Sequence, residues 1–275
     1  MQEASFQSTD GLKIVYRSWE PDGAARGVVV INHGVNSHGG QHAWTAEQFA
    51  KAGFAAYAID MRGRGKSEGK RFALKDVSEH TGDLHQLIGI AKADNAGLPV
   101  FLLGHSAGGV VGTSYVLDHQ AELAGFICES FAYKVPAPGA VLWLVEHVLG
   151  PLFPGLPVLK LKMEDFSRDP AAVAALLADP LTKNEAQPAG TVAALLRAGE
   201  RMHAEFNTIT LPVLIIHGTN DKATMYQGSQ EFFDKASSSD KTLKLYQDHY
   251  HDLLNDIGKE EVFADILGWI EARLK

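Results

Sequence analysis

Short, unbroken apolar runs recur along the chain, separated by longer stretches of mixed character. Residues 28–32, 54–59, 100–103, 125–128 and 213–216 are such runs. Each is too short for a stable helix and shows no polar alternation. That pattern predicts strands buried on both faces, as in a parallel sheet. Helical patterns fall between them, at residues 44–52, 77–93 and 108–118. Strands alternating with helices predict a mostly parallel α/β sheet with helices on both faces. Residues 12–19 alternate instead and precede the parallel part, so they read as an antiparallel strand at the sheet edge. No internal repeat or low-complexity tract is visible.

The alternation breaks after Glu129. Residues 131–208 contain no pattern of a buried strand. Pro136, Pro138, Pro151, Pro154 and Pro157 lie among large apolar residues, and helical stretches follow at 171–178 and 189–206. The sheet resumes at Leu211. An insertion leaving the C-terminal end of one parallel strand and returning to the next would sit over the site at those ends. The expected organisation is therefore a core of residues 1–130, a helical cap of residues 131–208 and the rest of the core in residues 209–275.

The chain has 275 residues and is 45% hydrophobic, which suits one domain with an insertion. A net charge of −8 argues against a nucleic-acid partner. Cys128 is the only cysteine, so no intrachain disulfide can form. The first residues lack the basic and apolar regions of a secretory signal, and no run of about 18 apolar residues appears. These features lead us to expect a soluble, cytoplasmic protein. Oligomeric state leaves no mark in the sequence.

Gly104-His105-Ser106-Ala107-Gly108 fits G-x-S-x-G, with an apolar strand before it and a small-residue helix after it. A serine on such a turn projects its hydroxyl above the sheet, which makes Ser106 the candidate nucleophile. A hydroxyl needs a positioned base, and the base needs an orienting acid. His251 and His249 both lie between the last strand and the final helix; position favours His251 without excluding its neighbour. Asp221, in the turn after residues 213–216, is the favoured acid, and Glu129, at the end of the preceding strand, is its rival. The loop His33-Gly34-Val35 can offer a backbone N–H beside the one that follows the nucleophile. The expected oxyanion donors are therefore Val35 and Ala107. His33 reads as structural support for its loop, and His38 and His42 as loop or rim residues with no metal-ligand spacing. The glycine-rich stretch 60–69 lacks a Walker lysine and a following helix. It reads as a structural turn in which Asp60 pairs with Arg62.

Four motifs carry a family resemblance: His33-Gly34, Asp60-x-Arg62-Gly63-x-Gly65-x-Ser67-x-Gly69, Gly104-His105-Ser106-x-Gly108-Gly109 and His217-Gly218-x-x-Asp221. Together with the tail from Lys244 through Tyr250-His251 to Trp269, they resemble the α/β-hydrolase-fold serine hydrolases of the monoacylglycerol lipase and lysophospholipase group. The resemblance spans nearly the whole chain. It implies that His251 is the base, Asp221 the acid, and Val35 and Ala107 the oxyanion donors. Three positions depart from the group: Ala107 replaces its usual methionine, Arg64 its usual histidine in G-H-G, and Asn36-Ser37 fill a loop that usually carries a glutamate.

The resemblance implies a serine esterase, without cofactor or metal, for monoacylglycerol-like or other small apolar esters. A compact-pocket esterase for short or aromatic esters, or an acyltransferase or thioesterase, would use the same triad. A non-catalytic binding member of the fold is disfavoured because all three triad residues are present. Phe131, Tyr133, Trp143 and Leu144 are expected to line the acyl pocket. Residues 141–149 are apolar on most sides, which suits either a tunnel or transient contact of the cap with lipid surfaces.

Overall fold

The computed structural model describes residues 1–274. Its strands are β1 (Gln2–Gln7), β2 (Lys13–Trp19), β3 (Val28–Asn32), β4 (Ala55–Ile59), β5 (Val100–His105), β6 (Gly125–Glu129), β7 (Pro157–Leu159), β8 (Gln187–Pro188), β9 (Val213–Gly218) and β10 (Lys241–Tyr246). Eight of them form one sheet in the order β1-β2-β4-β3-β5-β6-β9-β10, while β7 and β8 pair separately. Every pairing from β4 across to β10 is parallel. β2 is antiparallel to both of its neighbours, so it alone runs against the rest.

The stretch read as an edge strand is antiparallel as expected, but it is not the edge. β1 covers it, in register from Gln2 opposite Ser18 to Gln7 opposite Lys13. β1 is mostly exposed, and only Ala4 and Phe6 turn even partly inward. Two small inward positions give too little periodicity to read a strand.

Helices α1 (Ala43–Lys51), α2 (Val77–Asp94) and α3 (Ala107–His119) lie between the strands. The chain continues through α4 (Gly139–Leu144), α5 (Gly150–Leu152), α6 (Pro170–Ala178), α7 (Ala189–Glu205), α8 (Tyr226–Lys235) and α9 (Lys259–Glu271). The unbroken runs are explained by the helices on the two faces. Val28, Val30 and Leu102 join Leu84, Leu87 and Ile88 of α2 and Val110 and Val111 of α3 in one cluster. Their chain neighbours Val29, Ile31 and Leu103 turn the other way, to Phe49 of α1 and Val262 and Ile266 of α9. Both faces are thus dry, and each such side chain stabilises the fold by about 1.5–3 kcal/mol.

The segment between β6 and β9 leaves the sheet at its C-terminal edge. α4 passes through a π-helical turn, Val145–Leu149, into α5. α7 packs on that turn and on α3. No helix among the described residues is long and apolar enough to cross a membrane.

The glycine-rich stretch after β4 is a structural turn, with different partners from those expected. Asp60 pairs with Arg17 at 2.7 Å rather than with Arg62. Its carboxylate also accepts the N–H groups of Gly39 and Lys66, both at 2.8 Å. Arg62 is bound instead by Asp83 and Asp10. Arg17 lies 43 positions from Asp60, a separation at which local spacing carries no signal.

Candidate active site

The C-terminal ends of β3, β5, β9 and β10 share one edge of the sheet, and the candidate residues follow directly from those ends. Ser106 caps α3 with φ 56° and ψ −120°, a backbone conformation that non-glycine residues rarely hold. It is held there by its own N–H bonded to the Glu129 carbonyl at 2.9 Å. Gly108 lets α3 start this close to β3, because a Cβ there would collide with the carbonyl oxygens of Asn32 and His33.

His251 Nε2 lies 2.9 Å from Ser106 Oγ. Its Nδ1 lies 2.7 Å from Asp221 Oδ2. Asp221 also accepts from the N–H groups of Ala223 and Thr224, at 2.7 and 2.9 Å. Thr224 Oγ1 at 2.8 Å and His217 Nε2 at 3.0 Å complete its shell. Burial alone would raise this carboxyl. The facing His251 and the hydrogen bonds from His217 and His251 outweigh it and hold the group well below the usual carboxylate range. An ionised Asp221 therefore accepts the Nδ1 proton of His251 and leaves Nε2 free to accept from Ser106.

His249 faces elsewhere: its ring packs on Tyr246, and Nδ1 lies 3.0 Å from the Gln247 carbonyl. Glu129 is fully buried behind the site, and one of its oxygens accepts the Leu254 N–H at 3.2 Å. Burial first, and then the charge of Asp252, pushes its carboxyl well above the usual range. A carboxyl pushed in this direction is a poorer counter-charge for an imidazolium, which sets Glu129 apart from Asp221.

Val35 and Ala107 line the same cavity as Ser106. A Cβ on Gly34 would come 2.8 Å from Ser106 Cβ, so the loop's backbone passes against Ser106. Among the described residues, neither the Val35 nor the Ala107 N–H has a protein acceptor. His33 supports the loop as expected: its Nε2 accepts the Met61 N–H at 3.0 Å.

Above Ser106 lies a cavity of about 330 Å³. Its walls are largely apolar, with Val141, Leu142 and Val145 on one side and Val192, Leu195 and Leu196 of α7 on another.

A hydrolase family model described as serine aminopeptidase, S33, matches residues 23–258. The chain belongs to this family. It is 38% identical over 273 residues to the monoacylglycerol lipase of Mycolicibacterium smegmatis, covering 99% of this chain and 98% of that one. To human monoglyceride lipase it is 28% identical over 270 residues, covering 97% of this chain and 89% of the relative. The crystal structure of Paleococcus ferrophilus monoacylglycerol lipase superposes with a TM-score of 0.84 at 31% identity, covering 94% and 99% of the two chains. The α/β-hydrolase fold expected from the sequence is thereby shown, and this hydrolase is a monoacylglycerol lipase-like serine ester hydrolase.

Of the expected pocket residues in this hydrolase, only Tyr133 reaches the cavity. Phe131 lies one layer deeper, stacked on Tyr133 and packed against Phe206 and Phe232. Trp143 and Leu144 face outward, 58% and 43% exposed. The reason is helical phase. Leu142 and Val145, three apart, share the inward face, and Trp143 points away from it; Val141 reaches the cavity only at its margin, 49% exposed. Two residues around Asp221 were given no role from the sequence: His217, named only as part of a motif, and Thr224. The histidine's spacing of four from Asp221 was the available signal.

Proposed function

We propose that the protein hydrolyses monoacylglycerol-like or other small apolar esters through an acyl-enzyme. The observation that carries this reading is the unbroken line Ser106–His251–Asp221, opening into an apolar cavity. Ser106 Oγ attacks the ester carbonyl as its proton passes to His251 Nε2. Asp221 holds the ring and stabilises the imidazolium. The N–H groups of Val35 and Ala107 receive the oxyanion. His251 then gives its proton to the departing alcohol. Water repeats the cycle on the acyl-enzyme and releases the carboxylic acid and free Ser106.

Residues 131–208 act as the cap, and its inner side takes the acyl chain. Its outer side presents Trp143, Leu144, Leu152 and Phe153 to solvent. These support a transient contact with lipid surfaces, from which an apolar ester would enter. The acidic composition and lone buried cysteine are consistent with work in the cytoplasm.

The experiment is hydrolysis of monoacylglycerols and p-nitrophenyl esters of increasing chain length by wild type and Ser106→Ala. Wild type is expected to favour medium chains over acetate, since each buried CH₂ contributes about 0.8 kcal/mol. Ser106→Ala is expected to lose activity and fluorophosphonate labelling together. Labelling that survives the substitution rejects the nucleophile, and a flat chain-length profile rejects the lipid-like substrate.

A further inference from the structure

Arg64, one of the departures from the family pattern, is buried and has its partners in the insertion. Its guanidinium pairs with Glu185 and donates to Gln187 Oε1 at 3.0 Å. Glu185 Oε1 also accepts the backbone N–H of Asn36 at 2.9 Å. The Gln187 amide donates to Asn36 Oδ1 at 2.9 Å and to Glu185 at 2.7 Å. All four residues are at most 5% exposed. Asn36 directly follows Val35, and its φ of 55° puts it in the left-handed region. A non-glycine residue stays there only where its surroundings fix it. Here they do so from both sides, since its N–H and its side chain are each held by the insertion.

We propose that Glu185, with Gln187 and charged against Arg64, is a positioning residue for the reaction. It fixes the loop that presents the Val35 N–H, so oxyanion stabilisation depends on the insertion being seated on the core. This rests on the reading of Val35 as an oxyanion donor. A donor misplaced by a fraction of an ångström loses most of its value, because it must meet the charge that develops in the transition state and not the ground-state carbonyl. The signature is therefore a loss in kcat that is independent of acyl length.

The test compares Glu185→Ala and Glu185→Gln with wild type on p-nitrophenyl acetate and octanoate, with melting temperatures measured alongside. Glu185→Ala is expected to lower kcat on the order of 10–100-fold on both esters, with KM changed less than about threefold. Glu185→Gln is expected to recover part of that loss, because its amide oxygen can still accept the Asn36 N–H. If Glu185→Ala does not fold, the double variant Arg64→Met/Glu185→Met leaves no unpaired buried charge and is expected to show the same kcat loss. An unchanged kcat on acetate, or a loss confined to KM for octanoate, overturns the proposal and leaves Glu185 a plain tie between cap and core. Ser106→Ala in the same assay reads the triad separately. If that variant is inactive while Glu185→Ala behaves as wild type, only the positioning role falls.

Discussion

Replacing Asp221 with asparagine tests the site at its most constrained point. One carboxylate oxygen accepts two backbone N–H groups, from Ala223 and Thr224. The other faces His251, His217 and Thr224. An asparagine must keep its oxygen toward the backbone pair, because turning the amide around would set its N–H₂ against two fixed donors. Its N–H₂ then meets the Nδ1–H of His251. The ring can relieve that clash only by moving its proton to Nε2, the atom that must accept from Ser106 2.9 Å away. The base is thereby disabled while the fold is kept. A triad locked in the wrong tautomer loses about 10⁴ in kcat, or about 5 kcal/mol of transition-state stabilisation. The assay is steady-state hydrolysis of p-nitrophenyl butyrate at neutral pH, beside Glu129→Gln. Glu129→Gln is expected to stay within about tenfold of wild type, because the Glu129 oxygen accepts the Leu254 N–H and an amide oxygen can keep that bond. A loss below about tenfold for Asp221→Asn, or a greater loss for Glu129→Gln, refutes the assignment of the acid.

His251→Ala is expected to cost on the order of 10⁵ in kcat, and His249→Ala less than about threefold, on the same short ester; comparable losses would overturn the choice of base. Glu129→Gln is expected to raise the melting temperature relative to wild type, more at pH 8 than at pH 5. With its folded pKa raised, the native Glu129 keeps a proton that the unfolded chain releases above about pH 4.3. Wild type therefore loses up to about 1.4 kcal/mol per pH unit above that point, and glutamine does not. A pH-independent difference in thermal denaturation would reject the neutral acid. Leu195→Asp, on the cavity wall, is expected to lower kcat/KM for octanoate at least tenfold more than for acetate. Trp143→Asp, exposed, is expected to spare both soluble esters and weaken binding to lipid vesicles; the reverse pattern would invert the two faces of the insertion.

The hydrogen-bonded line Ser106–His251–Asp221 was legible in the sequence because Ser106 and Asp221 follow strands marked by hydrophobicity alone, while His251, after the half-polar β10, was placed by its position before the final helix. Ser106 comes directly after β5, while Asp221 and His251 lie in the turns that leave β9 and β10. In a parallel sheet those ends share one edge, so order along the chain is nearly enough to bring them together. The same logic placed Val35 beside Ser106. It did not separate His251 from His249, since only the turn's geometry points one ring at Ser106 and the other at Tyr246. The amphipathic α8 and the mostly exposed β1 were missed, one carrying a short apolar stripe and the other almost none. The Arg17–Asp60 and Arg64–Glu185 pairs were missed because charges 43 and 121 positions apart leave no local pattern.

The pocket failed for a different reason. Hydrophobicity locates a buried face only where the opposite face is polar. The insertion is apolar inside, where Leu142 and Val145 line the cavity, and apolar outside, where Trp143, Leu144, Leu152 and Phe153 meet solvent. A helix apolar on both sides has no phase to read, so its apolar residues, Trp143 and Leu144 among them, are not sorted into inner and outer by sequence alone. The phase is set by what the helix rests on: α7 packs against the turn at Val145, and Val145 is 5% exposed. With that residue pinned, Leu142, three positions earlier, faces the cavity and Trp143 faces away, while Val141 lines only the cavity's margin and stays 49% exposed. The same doubled apolarity is what a lid between a lipid phase and an acyl pocket requires, so the feature that blurred the pocket in the sequence is itself an argument for the proposed substrate.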